Sequence, residues 1–344
     1  MIPTRRRSLY FTGPSRAEVR EEPLPAPAAG QLCVSTAFSA ISAGTELLFY
    51  RGNVPHDIPV DSTIAALKRP FEVPIKYGYA AAGEVVGCGS VELESWLGRK
   101  VFSFHPHESA FLAEPAELLP IPSGIETFLA VFLPSMETSL NLVMDAAPGI
   151  GEQVAVLGQG VVGLLATALL ARYPLSSLVT ADRAPLRREA SAWLGATAVI
   201  DAGVADPVGD IRSALAQGRG ADGADLCFEL TGAPEALAEA IGVTGFEGRV
   251  VIGSWYGTKS ASVPLGGKFH RSRIRLQSSQ VSTVGSVFLG RWTKESRLTV
   301  AWDWIRRVAP ARLVSHRLPI ERAPEAYRFL AEDPSNAIQV VITY

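Results

Sequence analysis

The stretch Gln153-Val-Ala-Val-Leu-Gly-Gln-Gly-Val-Val-Gly163 decides the fold, because an apolar run leads directly into three glycines and then into helix-forming residues. Gly158 permits a tight turn, Gly160 lets the backbone approach a pyrophosphate, and Gly163 lets helix and strand pack closely. The amino end of the following helix offers free N–H groups to phosphates. The pattern therefore predicts a strand, turn and helix that bind a dinucleotide.

A second apolar run supports this prediction. Leu178-Val-Thr-Ala-Asp182 ends in an acid about 20 residues after the glycines, where a carboxylate accepts hydrogen bonds from the adenosine ribose. The acid favours NAD(H) as the cofactor. Two neighbouring cations, Arg183 and Arg187, leave NADP(H) as the alternative, because they could neutralise a 2′-phosphate.

Composition is typical of a cytoplasmic enzyme. The chain has 344 residues, of which 47% are hydrophobic, so it can bury the cores of two domains. Its formal charge of −2 gives no reason to expect a nucleic-acid partner. We find neither a signal peptide nor an apolar run of about 18 residues, so we expect no membrane span. The cysteines are three in number and far apart in sequence, which predicts reduced thiols.

The chain changes character along its length. Short β-rich runs separated by Gly and Pro, over residues 5–125, predict a β-rich domain. Residues 127–144 form a helical pattern, and from residue 153 strands alternate with helices, which predicts a parallel sheet with crossover helices. We expect an α/β protein with a Rossmann doubly wound parallel sheet domain and a second, β-rich catalytic domain.

Several motifs occur in the order typical of one family. They are Ile41-Ser-Ala-Gly-Thr-Glu46, Gly78-Tyr-Ala-Ala-Ala-Gly-Glu-Val-Val-Gly87, Gly98-Arg-Lys-Val101, the glycine motif, and Gly248-Arg-Val-Val-Ile-Gly253. Through them nearly the whole chain resembles the medium-chain dehydrogenase/reductases, which are alcohol-dehydrogenase-like enzymes. The resemblance implies a GroES-like catalytic domain (residues 1–134 and 278–344), a Rossmann domain (135–277) and a small-molecule substrate held between them. We also expect a homodimer.

The zinc positions of that family carry other residues here. Zinc members have Cys-Gly-Thr-Asp where this chain has Ala43-Gly-Thr-Glu46, and Gly-His-Glu where it has Gly78-Tyr-Ala80. The third ligand position falls near Leu133, and the cysteine-rich loop of a structural zinc is missing after Val101. A catalytic zinc needs three N, O or S ligands and an open position. We therefore predict an enzyme without catalytic or structural zinc.

Two further stretches narrow the resemblance. Residues 133–141 and 269–282 are similar to a zinc-free subgroup, the dehydrogenases that oxidise the hydroxyethyl side chain of bacteriochlorophyllide.

Tyr79 is the first candidate to replace the metal. A phenol can donate to an oxyanion and transfer a proton, and one such donor stabilises the transition state by roughly 2.7–4 kcal/mol. The alternative is a ring that fills the vacated space. Thr45 matches the hydroxyl that relays protons in the family, or it caps the helix that follows. Glu46 is either an acid/base or the charged partner of Arg51 or another base.

Other polar residues border the site that the resemblance implies. Glu137 and Asn141 lie at i and i+4 on the linking helix and either bind substrate or make a structural bond between the domains. His105 and His107 flank Pro106 and are expected on one side of an extended segment, as proton shuttle or as satisfied structural histidines. The predicted catalytic residues, in order, are Tyr79, Thr45, Glu137 and His105.

Two stretches concern the cofactor. Trp255 and Tyr256 follow a strand where the family places the nicotinamide, so they form either an aromatic wall or ordinary packing. The basic residues 268–275 have a period of two, which indicates a strand with one wet face or an anion anchor for substrate or cofactor. The predicted cofactor-binding residues are Gly158, Gln159, Gly160, Val161, Val162, Gly163, Asp182, Arg183, Arg187, Thr231, Ser254, Trp255, Tyr256 and Ser278.

These residues predict a zinc-independent NAD(P)(H)-dependent oxidoreductase that interconverts a secondary alcohol and a carbonyl on a small or medium-sized metabolite. One alternative is an NADPH-dependent quinone or enoyl reductase acting on a conjugated C=C bond, which Asp182 opposes. Another is a cofactor-binding homologue that lost catalysis together with its metal.

Overall fold

The structure is a computed structural model that describes residues 2–55, 57, 59–61, 63–220 and 222–344. Met1, the start of the predicted catalytic domain, lies outside the described residues. The strands are β1 (Arg5–Gly13), β2 (Arg16–Pro23), β3 (Leu32–Ile41), β4 (Ile75–Lys76), β5 (Ala81–Cys88), β6 (Lys100–Ser103), β7 (Ala110–Ala113), β8 (Leu119–Pro120), β9 (Gln153–Leu157), β10 (Ser177–Asp182), β11 (Ala198–Asp201), β12 (Ala224–Glu229), β13 (Thr244–Ile252), β14 (Arg275–Ser278), β15 (Val314–Pro319) and β16 (Gln339–Thr343). The helices are α1 (Ala43–Arg51), α2 (Thr127–Ala130), α3 (Leu133–Ala146), α4 (Val161–Leu170), α5 (Pro185–Trp193), α6 (Pro207–Ala216), α7 (Ala236–Val243), α8 (Lys294–Val308) and α9 (Ala323–Glu332).

The chain divides into two compact units. The first unit comprises Met1–Pro134 and Trp302–Tyr344, and the second comprises Ser135–Ala301. The second unit thus includes residues 278–301, which the family resemblance assigns to the catalytic domain. Compactness does not decide to which functional domain a segment belongs, so the predicted domain boundaries stay a proposal.

The second unit contains a six-stranded parallel sheet in the order β11-β10-β9-β12-β13-β14. From β9 the chain adds β10 and β11 on one side and then β12, β13 and β14 on the other. The strand order therefore reverses beside β9, and this switch point is where doubly wound sheets bind ligands. Every residue of β9 and β10 is buried, as expected for strands covered on both faces by helices. The alternation of strands and helices predicted from residue 153 onward is confirmed.

The first unit is β-rich. A seven-stranded sheet has the order β15-β16-β3-β5-β6-β8, with β7 paired to β3, and a three-stranded sheet has the order β2-β1-β4. Helices α1 and α9 contribute to a buried cluster that contains the aromatic residues Phe11, Phe49, Tyr50, Tyr77 and Tyr327. Within the described residues, no helix is both long enough and apolar enough to span a membrane.

The predicted helix over residues 127–144 is two helices. Helix α2 ends at Ala130, and α3 begins at Leu133. Pro134 has no N–H, so it cannot donate to the carbonyl of Ala130, and a continuous helix would lose that bond. Proline fits the first turn of a new helix, where the N–H has no intrahelical partner.

The predicted strand over the basic residues 268–275 is wrong. Residues Leu265–Phe269 form a π-helical turn, Arg273 has a left-handed φ of 53°, and β14 begins only at Arg275. Arg275 pairs with Arg249 at the amino end of the sheet, whereas Ser278 pairs with Ile252 at the carboxyl end. The structure thus contradicts a cofactor-phosphate anchor here, because the glycine turn follows the carboxyl end of β9.

Candidate active site

The glycine turn lies between β9 and α4. Gly158 has a φ of 91°, and a Cβ there would stand 2.7 Å from the Leu230 backbone. A Cβ on Gly163 would stand 2.0 Å from the carbonyl oxygen of Gly158, so helix and strand meet as the sequence predicts. Gly160 precedes the first turn of α4, and a Cβ there would meet nothing within 4 Å. The open side of the turn therefore leaves room for a phosphate.

Asp182 at the end of β10 braces this turn. One carboxylate oxygen accepts the backbone N–H of Gln159 at 2.7 Å, and the other accepts that of Ala184 at 2.8 Å. Arg187 approaches the same carboxylate at 3.8 Å, whereas Arg183 is exposed. Each carboxylate oxygen has two acceptor sites, so these bonds leave capacity for ribose hydroxyls.

Gln159 can offer its backbone, but not its side chain, to a bound cofactor. The side chain is fully buried, where its carbonyl accepts the Thr167 hydroxyl at 3.0 Å. The amide of Gln159 donates back to the carbonyl of Gly158 at 3.3 Å. The side chain therefore stiffens the turn, and Val161 and Val162 follow as the first residues of α4.

A buried carboxylate that the sequence analysis missed joins several predicted cofactor residues. Glu229 ends β12 and accepts the N–H of Thr231 at 2.8 Å and the hydroxyl of Tyr256 at 2.5 Å. Burial, followed by this bond to Glu229, raises the pKa of the Tyr256 hydroxyl. Ser254 accepts the N–H of Gly232 at 2.8 Å. The sequence signal for Glu229 is the run Glu229-Leu-Thr-Gly232, in which an acid precedes a Thr-Gly turn directly after an apolar strand.

Register shows that these residues share one edge of the sheet. Leu157, Glu229, Ile252 and Ser278 pair successively across β9, β12, β13 and β14. Every predicted cofactor residue therefore lies at, or shortly after, the carboxyl end of a parallel strand, where such sheets bind ligands. Trp255 and Ser278 are exposed there.

Tyr79 lies in the first unit, after β4. Its hydroxyl donates to the hydroxyl of Ser42, and the side chain of Thr45, in the first turn of α1, is a further polar group that acts on its pKa. The ring is partly buried against the aromatic cluster and meets the ring of Tyr77 edge-on, 6.3 Å between centroids. Burial, followed by the charge of Glu46, raises the pKa of Tyr79 to about 12. The phenol is therefore protonated at neutral pH and can donate a proton.

Thr45 and Glu46 differ in how the structure treats their structural alternatives. Thr45 lies inside the first turn of α1, because the helix begins at Ala43 and the preceding residue is Ser42. The expected role of Thr45 as helix cap is wrong. Glu46 is fully buried and is bound by His107, Tyr327 and the backbone of Ser42, so the base that it meets is His107 and not Arg51.

The two histidines differ in their surroundings. His107 is fully buried, with Nε2 3.0 Å from Glu46 and Nδ1 2.7 Å from the Ser39 hydroxyl. His105 is 2.9 Å from Glu108 and stacks on Phe111 at 3.9 Å between centroids. The structure does not bring them to a common partner. Sequence reasoning placed His105 before His107, because spacing alone cannot show which ring is buried beside an acid.

Glu137 belongs to a buried cluster of the second unit. Its carboxylate accepts two N–H groups of Arg297, at 2.9 and 3.2 Å, and both residues are buried. The guanidinium also donates to Asn141 and to the carbonyls of Val281 and Thr283, so all five of its N–H groups are bonded. These contacts support the structural alternative for Glu137 and Asn141, and a catalytic role stays a prediction.

Zinc does not fit the residues at the family's ligand positions. The side chains of Ala43 and Leu133 have no atom that can bind zinc, and the Tyr79 hydroxyl is bonded to Ser42. Over the described residues, no group of three or more His, Cys, Asp or Glu side chains is arranged to hold a metal ion.

Comparisons with known proteins agree with this fold. Residues 161–301 match the family described as zinc-binding dehydrogenase. The D-guloside 3-dehydrogenase of Escherichia coli (strain K12) is 21% identical over 98% of this chain and 100% of its own length. The L-galactonate-5-dehydrogenase of the same strain is 26% identical over 88% of each chain.

Solved structures have the same architecture. A short chain alcohol dehydrogenase from E. coli CFT073, complexed with NADH, has a TM-score of 0.77 and 17% identity, covering 99% of this chain and 100% of the other. A dehydrogenase from Sinorhizobium meliloti 1021, bound to NADP, has a TM-score of 0.78 and 18% identity, with coverage of 99% and 100%. The predicted fold class, with Rossmann and GroES-like domains, is confirmed.

Proposed function

We infer that the chain belongs to the medium-chain dehydrogenase/reductase superfamily, and we propose that it is a zinc-independent NAD(P)(H)-dependent oxidoreductase. The reaction is the interconversion of a secondary alcohol and a carbonyl on a small or medium-sized metabolite. The names of the relatives, a guloside and a galactonate dehydrogenase, support this reaction class. They do not favour a quinone or enoyl reductase, nor an inactive homologue.

The observation that carries the proposal is the glycine turn braced by Asp182 at the switch point of the parallel sheet. The amino end of α4 would hold the pyrophosphate of a bound dinucleotide, and Asp182 would accept hydrogen bonds from its ribose. The carboxylate beside the ribose favours NAD(H) over NADP(H). The bound nicotinamide supplies or accepts the hydride.

Tyr79 is the proposed proton donor to the substrate oxygen. When a carbonyl carbon receives a hydride, its oxygen becomes an alkoxide and takes one proton. A phenol with a pKa of about 12 remains protonated and supplies that proton, so it suits the direction of carbonyl reduction. Thr45, whose side chain acts on the pKa of the Tyr79 hydroxyl, is the proposed second hydroxyl of the path. Glu137 and His105 rank after them.

A single substitution separates cofactor binding from folding. Gly160→Asp places a carboxylate at the amino end of α4, where nothing lies within 4 Å of the new Cβ. Aspartate is a favourable residue before a helix, so the melting temperature should hold or rise. The new charge would face the pyrophosphate, and juxtaposed like charges cost several kcal/mol, so NADH affinity should fall at least about 100-fold. Calorimetry measures it, and unchanged affinity contradicts the proposed site.

Turnover is tested on the parent and on Gly160→Asp together. Candidate substrates are sugar acids and glycosides with secondary hydroxyls, their keto forms, a quinone and an enone, each with NAD(H) and NADP(H). Cofactor absorbance in the near ultraviolet reports the reaction. We expect turnover of an alcohol or carbonyl by the parent alone. Turnover confined to the quinone or enone with NADPH supports the reductase alternative.

We also propose that the protein is a homodimer, that it is cytoplasmic, as its composition indicates, and that it belongs to the zinc-free subgroup similar to the bacteriochlorophyllide hydroxyethyl dehydrogenases. Light scattering of the purified protein tests the homodimer, and a monomeric mass contradicts it. Adding a bacteriochlorophyllide with a hydroxyethyl side chain to the substrate panel tests the link to that subgroup.

A further inference from the structure

A buried carboxylate in the first turn of α1 collects hydrogen bonds from separate parts of the first unit. Glu46 Oε1 accepts the backbone N–H of Ser42 at 2.7 Å. Its Oε2 accepts the hydroxyl of Tyr327, from α9, and lies 3.0 Å from His107 Nε2. Glu46, His107 and Tyr327 are all fully buried. A buried charge with three donors is held in one place and costs several kcal/mol if left unpaired.

The His107 ring is also hydrogen-bonded at its other nitrogen, Nδ1. His107 Nε2 faces a carboxylate and therefore carries a proton, so in the neutral ring Nδ1 accepts the hydroxyl of Ser39 at 2.7 Å. Ser39 in turn lies 2.7 Å from the hydroxyl of Tyr344. The ring consequently has a fixed orientation, and every hydrogen bond along the chain from Tyr344 to Glu46 has a donor and an acceptor.

Tyr79 is tied to this group at two points. Ser42 gives its backbone N–H to Glu46 and takes the Tyr79 hydroxyl on its own hydroxyl oxygen. Gly78, the residue before Tyr79, has a φ of 118°, and a Cβ there would stand 2.6 Å from the His107 ring. Glu46 thus sets the position of the acceptor for the Tyr79 proton, and His107 sets the backbone beside the Tyr79 ring.

We propose that Glu46 and His107 form a buried positioning pair that fixes the place of the Tyr79 oxygen through Ser42 and Gly78, from where its O–H turns from Ser42 to the substrate oxygen. The pair does not itself exchange protons with substrate. The proposal rests on the proposed function in one respect, namely that Tyr79 is the proton donor. Of the two alternatives from the sequence, Glu46 as acid/base or as the charged partner of Arg51 or another base, this proposal develops the second, with His107 as the base and a role through Ser42.

The charge on Glu46 has a second consequence. It faces Tyr79 and opposes formation of the tyrosinate, in addition to burial. The other titratable groups that act on Tyr79 are Asp61, which also raises its pKa, and Tyr77, whose ring lies against it. Removing the Glu46 charge should therefore ease ionisation of Tyr79.

A double-mutant cycle tests the positioning role. Glu46→Gln should lower kcat about tenfold with little change in KM, the equivalent of one hydrogen bond to a charged group. In the Tyr79→Phe background the same substitution should cost nothing more, because the group that it positions is gone. Full additivity of the two losses would show that Glu46 acts on its own and would overturn the proposal.

Two further variants keep the cycle interpretable. Ser42→Ala removes only the acceptor of the Tyr79 proton, and since that side chain makes no capping bond, folding should survive even if Glu46→Gln does not fold. It should show the same loss and the same non-additivity. Glu22→Gln is the matched control, because Glu22 is bonded to Arg6, Ser8, Tyr10 and Lys76 in the same unit, and kcat should not change.

A readout without turnover separates this proposal from the proposed function. The tyrosinate absorbance of the protein minus that of Tyr79→Phe gives the titration of Tyr79 alone. We expect Glu46→Gln to move it down by at least about one pH unit and Glu22→Gln to leave it in place. If no alcohol or carbonyl is turned over but the shift is seen, only the function fails. An unmoved titration in an active enzyme overturns the positioning pair.

Discussion

The hydroxyl of Tyr79 is the one polar atom of a side chain that otherwise packs against aromatic neighbours. That atom separates the two hypotheses for the residue. As a space filler, the ring matters and the oxygen does not; as a proton donor, the oxygen matters most. The bond to Ser42 shows that the oxygen has a defined partner, which a filler would not require.

Tyr79→Phe and Tyr79→Ala together decide between these hypotheses. If the phenol donates, Tyr79→Phe should lower kcat about 100-fold or more, since one lost oxyanion donor costs that much. NADH affinity and melting temperature should barely move. If the ring is a filler, Tyr79→Phe should be harmless, and Tyr79→Ala should destabilise the protein by several kcal/mol through the cavity left behind. A fully active Phe variant would end the role as donor.

Asp182 carries the prediction on cofactor choice. Its carboxylate is fixed by two backbone N–H groups, so it cannot swing away from a 2′-phosphate, and like charge there disfavours NADP(H). We expect calorimetry to give tighter binding for NADH than for NADPH. Asp182→Ser should narrow the difference between the affinities for NADH and NADPH, because it removes the charge that disfavours the 2′-phosphate. The exposed Arg183 is the opposing element, and tighter binding of NADPH to the parent would refute the assignment.

At the scale of elements, strands and glycine turns followed from the sequence because their signals are local. The run from Gln153 to Gly163 predicted β9, its turn and the start of α4. Two elements failed because local patterns were ambiguous: Pro134 starts a new helix where a continuous one was expected, and the alternating arginines follow a π-helical turn. Arg273, one of the alternating arginines, has a left-handed φ, so the alternation does not mark a strand there.

The candidate site was predicted less completely than the fold, and for a physical reason. Tyr79, Thr45 and Asp182 sit at positions that short motifs define. The contacts of Glu229 with Tyr256 and of His107 with Ser39 join residues far apart in sequence, and no local spacing predicts them. Buried polar networks are set by tertiary packing, so only the structure could show which acid each donor meets.

Helix α3 is joined to α8 by a bond that should matter for stability. Arg297 and Glu137 are both buried, and removing one partner leaves the other charge unpaired. Glu137→Gln should therefore cost roughly 3–5 kcal/mol of unfolding free energy. Asp303→Asn, which breaks exposed pairs with Arg306 and Arg307 on α8, is the control and should cost less than about 1 kcal/mol. Urea denaturation measures both, and equal losses would contradict the argument.

The whole molecule should become unstable in acid through a second charged network in the first unit. Burial would raise the pKa of Glu108, but His105, Lys76 and Arg6 together lower it to about 2. Burial would also raise the pKa of Glu22, but Lys76 and the other hydrogen-bond donors outweigh it and lower that pKa to about 2. Both carboxyls have ordinary values of 4.5, so folding holds them ionised where the unfolded chain would bind protons.

The sign of the acid effect follows from those lowered values. The stabilisation is fully present above pH 4.5 and is lost as the pH falls towards about 2. In that window the slope of the unfolding free energy against pH is set by how many more protons the unfolded chain binds than the folded protein. Glu108→Gln should lower that difference by roughly one proton and so reduce the slope, and Glu22→Gln should do the same. Urea denaturation at a series of pH values measures the slope. Curves parallel to that of the parent would contradict the assigned network.

Because suitable ligands are absent at the family's zinc positions, we predict that the purified protein contains no zinc. This prediction concerns the whole protein, since a structural or catalytic metal would add to stability as well as to activity. Ala43 and Leu133 cannot coordinate, and a phenol bonded to Ser42 is a poor third ligand. We expect elemental analysis of the purified protein to give well under one zinc per chain. Turnover and melting temperature should be unchanged in chelator.

A double variant tests the ligand positions themselves. Ala43→Cys with Tyr79→His restores two of the ligands, but not the third at Leu133, so added zinc should still bind weakly. One zinc per chain in the parent, with activity lost in chelator, would overturn the mechanism and leave the fold untouched.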